Sequence, residues 1–331
     1  MPGDLRGSGD LYDMAKALAI EMVWIEITLK TVRTYCPSSG LRVRLATVHA
    51  AFDNFFCLVA SCFLLWRRRS RKQHVRRKSR RYSHGVAVMF NEPVTIIAGD
   101  FQTAWLEAVG KLESSNWELS NLVVYIRDPA IVADGIHNRV TAFAEQEDLL
   151  TPKAVAYTIF PEQLYRKGGS ADDLFRRYNR KEGFFDRVRT TWGTYFRRFT
   201  KYKTPSGDVN QLGKIIDALR DRQNVSKAAY IMVVPCPGGE NVRPLGGPCL
   251  NYVAVQAKRD PADDTVNVGL LAVYRNHDFL ERAYGNYWGL CNLLRFIANE
   301  VGATPAPLTC ISSHAYVANK KTALKQFVAG L

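Results

Sequence analysis

The chain has 331 residues, 47% apolar and 23% charged, which is enough to bury a hydrophobic core and excludes a short disordered or disulfide-stapled peptide. Its formal charge of +14 invites a nucleic-acid-binding reading, yet ten Lys and Arg with no acid fall in one stretch, RRRSRKQHVRRKSRR over 67–81, and the remainder carries only +4. The positive potential is therefore local and says little about what the rest of the chain binds.

In chain order, residues 11–35 are expected to form a helix, because Met14, Leu18, Met22, Ile25 and Leu29 recur every three or four positions. From Phe55 to Trp66 runs FFCLVASCFLLW, which has no charge and leads straight into the basic block. That order is the pattern of a membrane stop signal with a positive flank. A full span needs roughly 20 apolar residues, and Asp53, Asn54 and His49 interrupt the run upstream. A helix packed on the domain, or an appended segment with a solvated basic end, is the expected reading; membrane association through residues 50–66 is the alternative. The sequence changes character near residue 86, which divides it into an N-terminal extension, 1–86, and a globular domain, 87–331. The block at 67–81 is a candidate contact for nucleic acid or an anionic membrane.

Seven scattered cysteines without a C-x-x-C pair, and no signal-peptide order at the N-terminus, fit a reducing cytoplasm. Six histidines without H-E-x-x-H or a Cys/His cluster give no metal site.

Beyond residue 89 the texture is regular. Asp100 can cap a helix whose Trp105, Val109 and Leu112 share a face, and LVVYI at 122–126 reads as a buried strand stopped by Asp128-Pro129. Asp208 is expected to cap a second helix, with Val209, Leu212, Ile215, Ile216 and Leu219 on one stripe. A strand at 229–234 follows, then the Gly/Pro-rich loop CPGGENVRPLGGPC. Two further strands, 250–257 and 267–274, flank the turn signal at 260–264 and read as a hairpin. An apolar helix spans 284–301, with Gly302 as its stop. Strands on short turns with interspersed helices and no βαβ rhythm argue for an α+β fold with an antiparallel or mixed sheet.

Phosphate-cradling glycine loops and G-x-S-x-G are absent from the sequence. Cys249 stands between Gly246-Gly247-Pro248 and a strand, a plausible place for a nucleophile where glycine admits a ligand; a buried structural thiol is the alternative. Arg275, Asp278 and Asn286 follow at fixed offsets across a strand end and the start of the apolar helix. A buried Asn286 amide could satisfy a heterocycle with paired C=O and N–H, or it could cap the local turn. Near the C-terminus, strand alternation puts His314 and Tyr316 on one face.

Taken in order, these pieces resemble the thymidylate synthase and deoxycytidylate hydroxymethylase superfamily over about residues 186 to 318. WGTYFRR from Trp192 to Arg198 is similar to the family's Y-G-x-Q-W-R, and Asp208-Val209-Asn210-Gln211-Leu212 to its G-V-D-Q-L. Ser226-Lys227-Ala228 stands where the family has S-R-R, and Pro248-Cys249 resembles P-C-H. Tyr274 to Asp278 is similar to Q-R-S-x-D, Gly285-Asn286-Tyr287 to F-N-I, and His314-Ala315-Tyr316 to H-x-Y. Residues 89–331 resemble the compact, short-tailed type.

The resemblance implies a thymidylate-synthase-like mixed sheet packed with helices. It also implies a homodimer that methylates C5 of a uracil nucleotide such as dUMP with 5,10-methylenetetrahydrofolate. Cys249 would attack C6, with Arg197 or Arg275 as a cation lowering its pKa. Asn286 would read the base edge, His314 and Tyr316 the sugar hydroxyl, Arg275 and Lys227 the phosphate, and Asp278 the pterin. Relatives acting on cytosine carry Asp in place of Asn286, so uracil is expected. Pyrimidine nucleotide hydroxymethylation and a catalytically degenerate nucleotide-binding homologue are the alternatives. The departures are Lys227-Ala228 for two arginines, Leu250 for the His after the nucleophile, Tyr274 and Asn276 beside Arg275, and Tyr195-Phe196 for Gln-Trp. The first replaces two planar forks by one ammonium. The family's catalytic Glu has no counterpart by motif; Glu118, Glu145 and Glu147 are candidates by position.

Overall fold

The computed structural model describes residues 91–180, 192–221, 226, 228–236, 240 and 246–331. The helix expected over 11–35, the apolar run at 55–66, the basic block, the boundary near 86 and Lys227 all lie outside these residues.

Strand β1 (Val94–Ala98) runs into helix α1 (Phe101–Ser114), and Asp100 caps it as expected. Its carboxylate accepts from the Thr103 amide at 2.8 Å and the Thr103 hydroxyl at 2.9 Å, satisfying a donor the first turn leaves open. Phe101, Ala104, Trp105, Ala108, Val109 and Leu112 form its buried stripe. Strand β2 (Glu118–Ile126) then returns parallel to β1. Four short helices follow, α2 (Asp134–Gln146), α3 (Pro152–Ile159), α4 (Glu162–Tyr165) and α5 (Ala171–Arg180).

Helix α6 (Tyr195–Thr200) leads to the two-stranded ribbon of β3 (Tyr202–Thr204) and β4 (Gly207–Val209), and then to α7 (Gln211–Arg220). Here the structure corrects the sequence reading: Asp208 and Val209 belong to β4, and the cap is Asn210, whose side chain accepts from the Gly213 amide at 2.9 Å. The tight turn at Gly207, with φ at 119°, draws Asp208 into a ladder with Lys203, so the first residue free to cap comes two positions later. Leu212, Ile215, Ile216 and Leu219 still form the buried stripe.

Strands β5 (Tyr230–Val233), β6 (Leu250–Arg259), β7 (Val266–Tyr274) and the short β8 (His277–Asp278) precede helix α8 (Ala283–Val301), strand β9 (Thr304–Tyr316) and helix α9 (Lys321–Ala329). The expected β6–β7 hairpin is present, and Gly302 ends α8 in the left-handed conformation at φ 61°. The sheet order is β1-β2-β9-β7-β6-β5, with β8 beside β9. Pairings β1–β2, β7–β9 and β8–β9 are parallel, and the others are antiparallel. The fold is α+β with a mixed sheet packed with helices. Among the described residues no helix is long and apolar enough to cross a membrane.

One sheet face, with Leu122, Val124, Leu270, Ala272, Val253 and Cys310, is fully inside. On the opposite face the register lines up two rows across the sheet. One is Thr95, Val123, Ile311, Val273, Tyr252 and Val233; the other is Ile97, Tyr125, Thr309, Leu271, Ala254 and Ile231. Ile97, Ile231 and Val233 in these rows are exposed.

Helix α8 is buried along most of its length, and its Gly285 and Gly289 let α3 approach closely. A Cβ on Gly285 would lie 2.5 Å from Val155 Cβ and 2.8 Å from the Pro152 carbonyl. Gly285→Ala is therefore expected to lower stability by about 1–3 kcal/mol through overpacking, read as a lower urea midpoint at unchanged slope. An unchanged midpoint would show that α3 can shift without cost.

Candidate functional site

Cys249 is the last residue before β6, and its carbonyl accepts from the Arg275 amide at 2.9 Å just past the end of β7. The hairpin ladder thus sets a thiol and a guanidinium side by side although they are far apart in sequence. Gly247 makes room for the guanidinium: a Cβ there would lie 3.2 Å from Arg275 Nη2 and 3.3 Å from the Glu240 carbonyl. Burial pushes the Cys249 thiol pKa up; Arg275, through charge and a hydrogen bond, and Arg282, through charge, pull it down, while Asp278 adds to the rise. Arg282 occupies the N-cap of α8.

The fully buried Tyr195 hydroxyl accepts from the Leu250 amide at 3.4 Å. Burial, with the neighbouring Cys249 next in importance, holds its pKa well above the usual phenol value. Arg197 lies on the same helix, its amide held by Thr194 Oγ1 at 3.2 Å and its side chain alongside Gly193. Arg198 clamps the other side of the loop before Cys249. Its guanidinium binds both Glu240 oxygens, at 2.7 and 3.1 Å, and Glu240 Oε2 also accepts from the Cys236 amide at 2.9 Å. Arg275 Nη1 reaches the Glu240 carbonyl at 3.5 Å, which ties this clamp to the thiol's own cation.

Asn286, in the first turns of α8, is buried, and its Nδ2 donates to His277 Nε2 at 3.1 Å. His277 Nδ1 meets Ser312 Oγ at 2.8 Å, and the ring stacks on Tyr274 with centroids 4.0 Å apart. Burial depresses the His277 pKa to about 3, so the ring is neutral. With Nε2 accepting from Asn286, the ring proton sits on Nδ1 and goes to Ser312. The amide of Asn286 is thereby held in one orientation.

Asp278 ends β8, and its Oδ1 accepts from the Leu280 amide at 2.9 Å and the Glu281 amide at 3.3 Å. Burial raises its carboxyl pKa against those bonds. The Tyr316 phenol is raised by burial and by Asp278, opposed by a hydrogen bond from Asn276, and it also feels Cys249 and Glu281. His314 stacks on Tyr316 at 5.1 Å; its Nδ1 lies 2.6 Å from Asn276 Oδ1 and its Nε2 2.9 Å from Glu118 Oε1.

The structure therefore gathers Arg275, Asp278 and Tyr316 around the Cys249 thiol, joins His314 to them through Asn276, and anchors Asn286 to His277, whose ring stacks on Tyr274 beside them. Five participants had no role in the sequence reading. They are Tyr195, Arg282, His277, Asn276, and Glu118 as the partner of His314. Tyr195 and Asn276 were visible only as departures from the family pattern, and Arg282 lies within the stretch between Asp278 and Asn286. Of the other glutamates considered, Glu147 accepts from Lys320 Nζ at 3.1 Å.

A shallow apolar pocket lined by Trp105, Phe143, Leu149, Leu280 and Tyr284 has Glu281 in its wall, and Glu281 is the neighbour of Asp278 and Tyr316. Among the described residues no group of three His, Cys, Asp or Glu could hold a metal ion.

No protein-family profile matches the chain. A Methanococcoides burtonii protein named "Putative thymidylate synthase" is 27% identical over 124 residues, 38% of this chain and 52% of its own length. A Methanosarcina mazei protein of the same name gives the same identity and coverage, and one from Methanosarcina barkeri is 26% identical over 124 residues, with the same 38% and 52% coverage. The chain thus spans about half the length of the curated relatives it matches. These likenesses support a thymidylate-synthase-like protein at that coarse level.

Proposed function

We propose that the protein transfers a one-carbon unit to C5 of a uracil nucleotide, with Cys249 as the nucleophile and methylenetetrahydrofolate as the donor. The observation that carries this reading is a half-buried thiol hydrogen-bonded to Arg275 and within the charge influence of Arg282, with Asp278 and Tyr316 close by.

Burial keeps the free thiol protonated, while the two cations favour the thiolate needed for attack. The sulfur forms a bond to C6, the C5–C6 π pair moves to C5, and negative charge spreads to O4. Asn286 then offers an N–H to O4 and its Oδ1 to N3–H, and His277 holds that amide in place. Once the C5 pair has formed a bond to the incoming one-carbon unit, loss of the C5 proton and breaking of the S–C6 bond restore the ring double bond and the thiolate. Arg275 presents a fork of donors that suits both the sulfur and a phosphate. Tyr195, with its raised pKa, acts as a neutral hydroxyl beside the sulfur.

We assign the donor's N–H groups to Asp278, a half-buried acceptor close to Tyr316 and Cys249. When bound, methylenetetrahydrofolate supplies the one-carbon unit.

The test is release of tritium from a C5-labelled uracil nucleotide with methylenetetrahydrofolate, together with the product mass. Donor-dependent release supports the proposal, and the mass separates methylation from hydroxymethylation. Nucleotide binding without release would leave the non-catalytic alternative standing and overturn ours.

We also propose that the protein is a homodimer joined through the two apolar rows of the open sheet face. A sheet face that leaves Ile97, Ile231 and Val233 exposed is a liability that a second copy would cover. Val273→Lys, at the centre of one row, is expected to turn a dimer into a monomer by sedimentation velocity. A wild-type monomer, or a lysine variant that stays dimeric, counts against this interface.

A further inference from the structure

The Arg275 guanidinium sits at the end of a long, flexible stem. Its backbone amide donates to the Cys249 carbonyl at 2.9 Å, which fixes where that stem starts and leaves open where the fork ends. The fork is placed from the far side of the loop before Cys249. Arg275 Nη1 lies 3.5 Å from the Glu240 carbonyl, and a Cβ on Gly247 would lie 3.2 Å from Nη2 and 3.3 Å from that same carbonyl, so the guanidinium, the carbonyl and the bare Gly247 backbone pack closely together.

The Glu240 carbonyl is steadied in turn by its own side chain. Both carboxylate oxygens are bound to Arg198, and Oε2 also accepts from the Cys236 amide. Arg198 donates further to the Trp192 carbonyl, at 3.0 and 3.3 Å, and to Cys236 Sγ at 3.0 Å, which makes its fork a fixed post. The Arg198 and Glu240 side chains are 14% and 20% exposed, so salt and water screen the pair little.

We propose that Glu240 is a positioning residue: anchored by Arg198, its carbonyl sets the Arg275 guanidinium against the Cys249 sulfur. This rests on the reading of Cys249 as the nucleophile, and it is tested without nucleotide or donor, so either can fail alone. The sign of the effect separates positioning from direct charge. Loss of a carboxylate charge near a thiol favours the thiolate, whereas a loosened Arg275 disfavours it.

The test is the pH dependence of iodoacetamide alkylation of the full chain, read by fragment-ion mass spectrometry at Cys249 separately from Cys236, in the wild type, Glu240→Gln, Arg275→Gln and the double variant. Arg282, Asp278, Tyr195, Tyr274 and Tyr316, the other titratable groups near the sulfur, stay unchanged in every variant. Glu240→Gln is expected to move the midpoint upward by about half to one pH unit, which is roughly three- to tenfold slower alkylation at neutral pH. That shift should vanish in the Arg275→Gln background. Arg198→Lys, which keeps the charge and loses the fork, should shift the midpoint the same way and serves where Glu240→Gln does not fold. An unchanged midpoint, a downward shift, or an equal upward shift with Arg275 already replaced overturns the positioning role. A wild type that releases no tritium from a labelled nucleotide, yet shows the shift in its variants, keeps the positioning role and removes the proposed reaction.

Discussion

Cys249→Ser is expected to abolish donor-dependent tritium release from C5, by at least about a thousandfold, while nucleotide binding survives. A serine hydroxyl is far less acidic than a thiol, so the guanidiniums of Arg275 and Arg282 no longer yield a useful nucleophile at neutral pH. The exchange of sulfur for oxygen at a half-buried loop position should change folding stability by no more than about 1 kcal/mol, so a lost rate will not reflect a lost fold. Release from the variant within about tenfold of wild type would remove the sulfur from the chemistry. A complementary readout is alkylation of the wild-type thiol, which bound nucleotide should block.

The second large effect is on acid stability. His277 is fully buried and neutral, with its pKa lowered to about 3 against an ordinary value of 6.5. Between those two values the unfolded chain binds the proton and the folded chain does not, so stability falls as pH drops through that window and is unaffected by this group above it. From pH 7 to pH 4 this one ring should withdraw about 3 kcal/mol. His277→Gln removes the titration, so its urea-derived stability should decline less over the same pH interval than that of the wild type, whatever its absolute value. Parallel declines would mean that the imidazole gains water or a counter-charge in acid. Because His277 Nε2 accepts from Asn286, its protonation also breaks the bond that orients the Asn286 amide. Activity lost in this window should therefore track the same group.

Much of the fold was legible because its signals are local. Asp100 before an apolar stripe, Gly302 after one, and the Asp-rich turn at 260–264 each act within a few residues, and the structure realises all three. Asp208 was misplaced because two readings compete within five residues, and the turn at Gly207 decides for a ribbon. Strand β1 and helices α2 to α5 escaped notice because short segments hold too few turns or alternations to show a period. Strand β1 takes its place from β2 and helix α3 from α8, while α2 contacts α3 and α4 contacts α5.

By itself the sequence determined the chemistry-bearing residue types and their order: a thiol after paired glycines, an arginine, an acid and an amide at fixed offsets, and a histidine and tyrosine on one strand face. Only the tertiary structure decided which groups act on which. Arg282 acts on the thiol through charge, Tyr195 accepts from the Leu250 amide next to it, His277 fixes Asn286, and Glu118 meets His314 because of hairpin register, helix packing and the pairing of β2 with β9. Charge and hydrogen bonding act over a few ångströms of space, and distance along a chain says little about that until strands pair and helices dock.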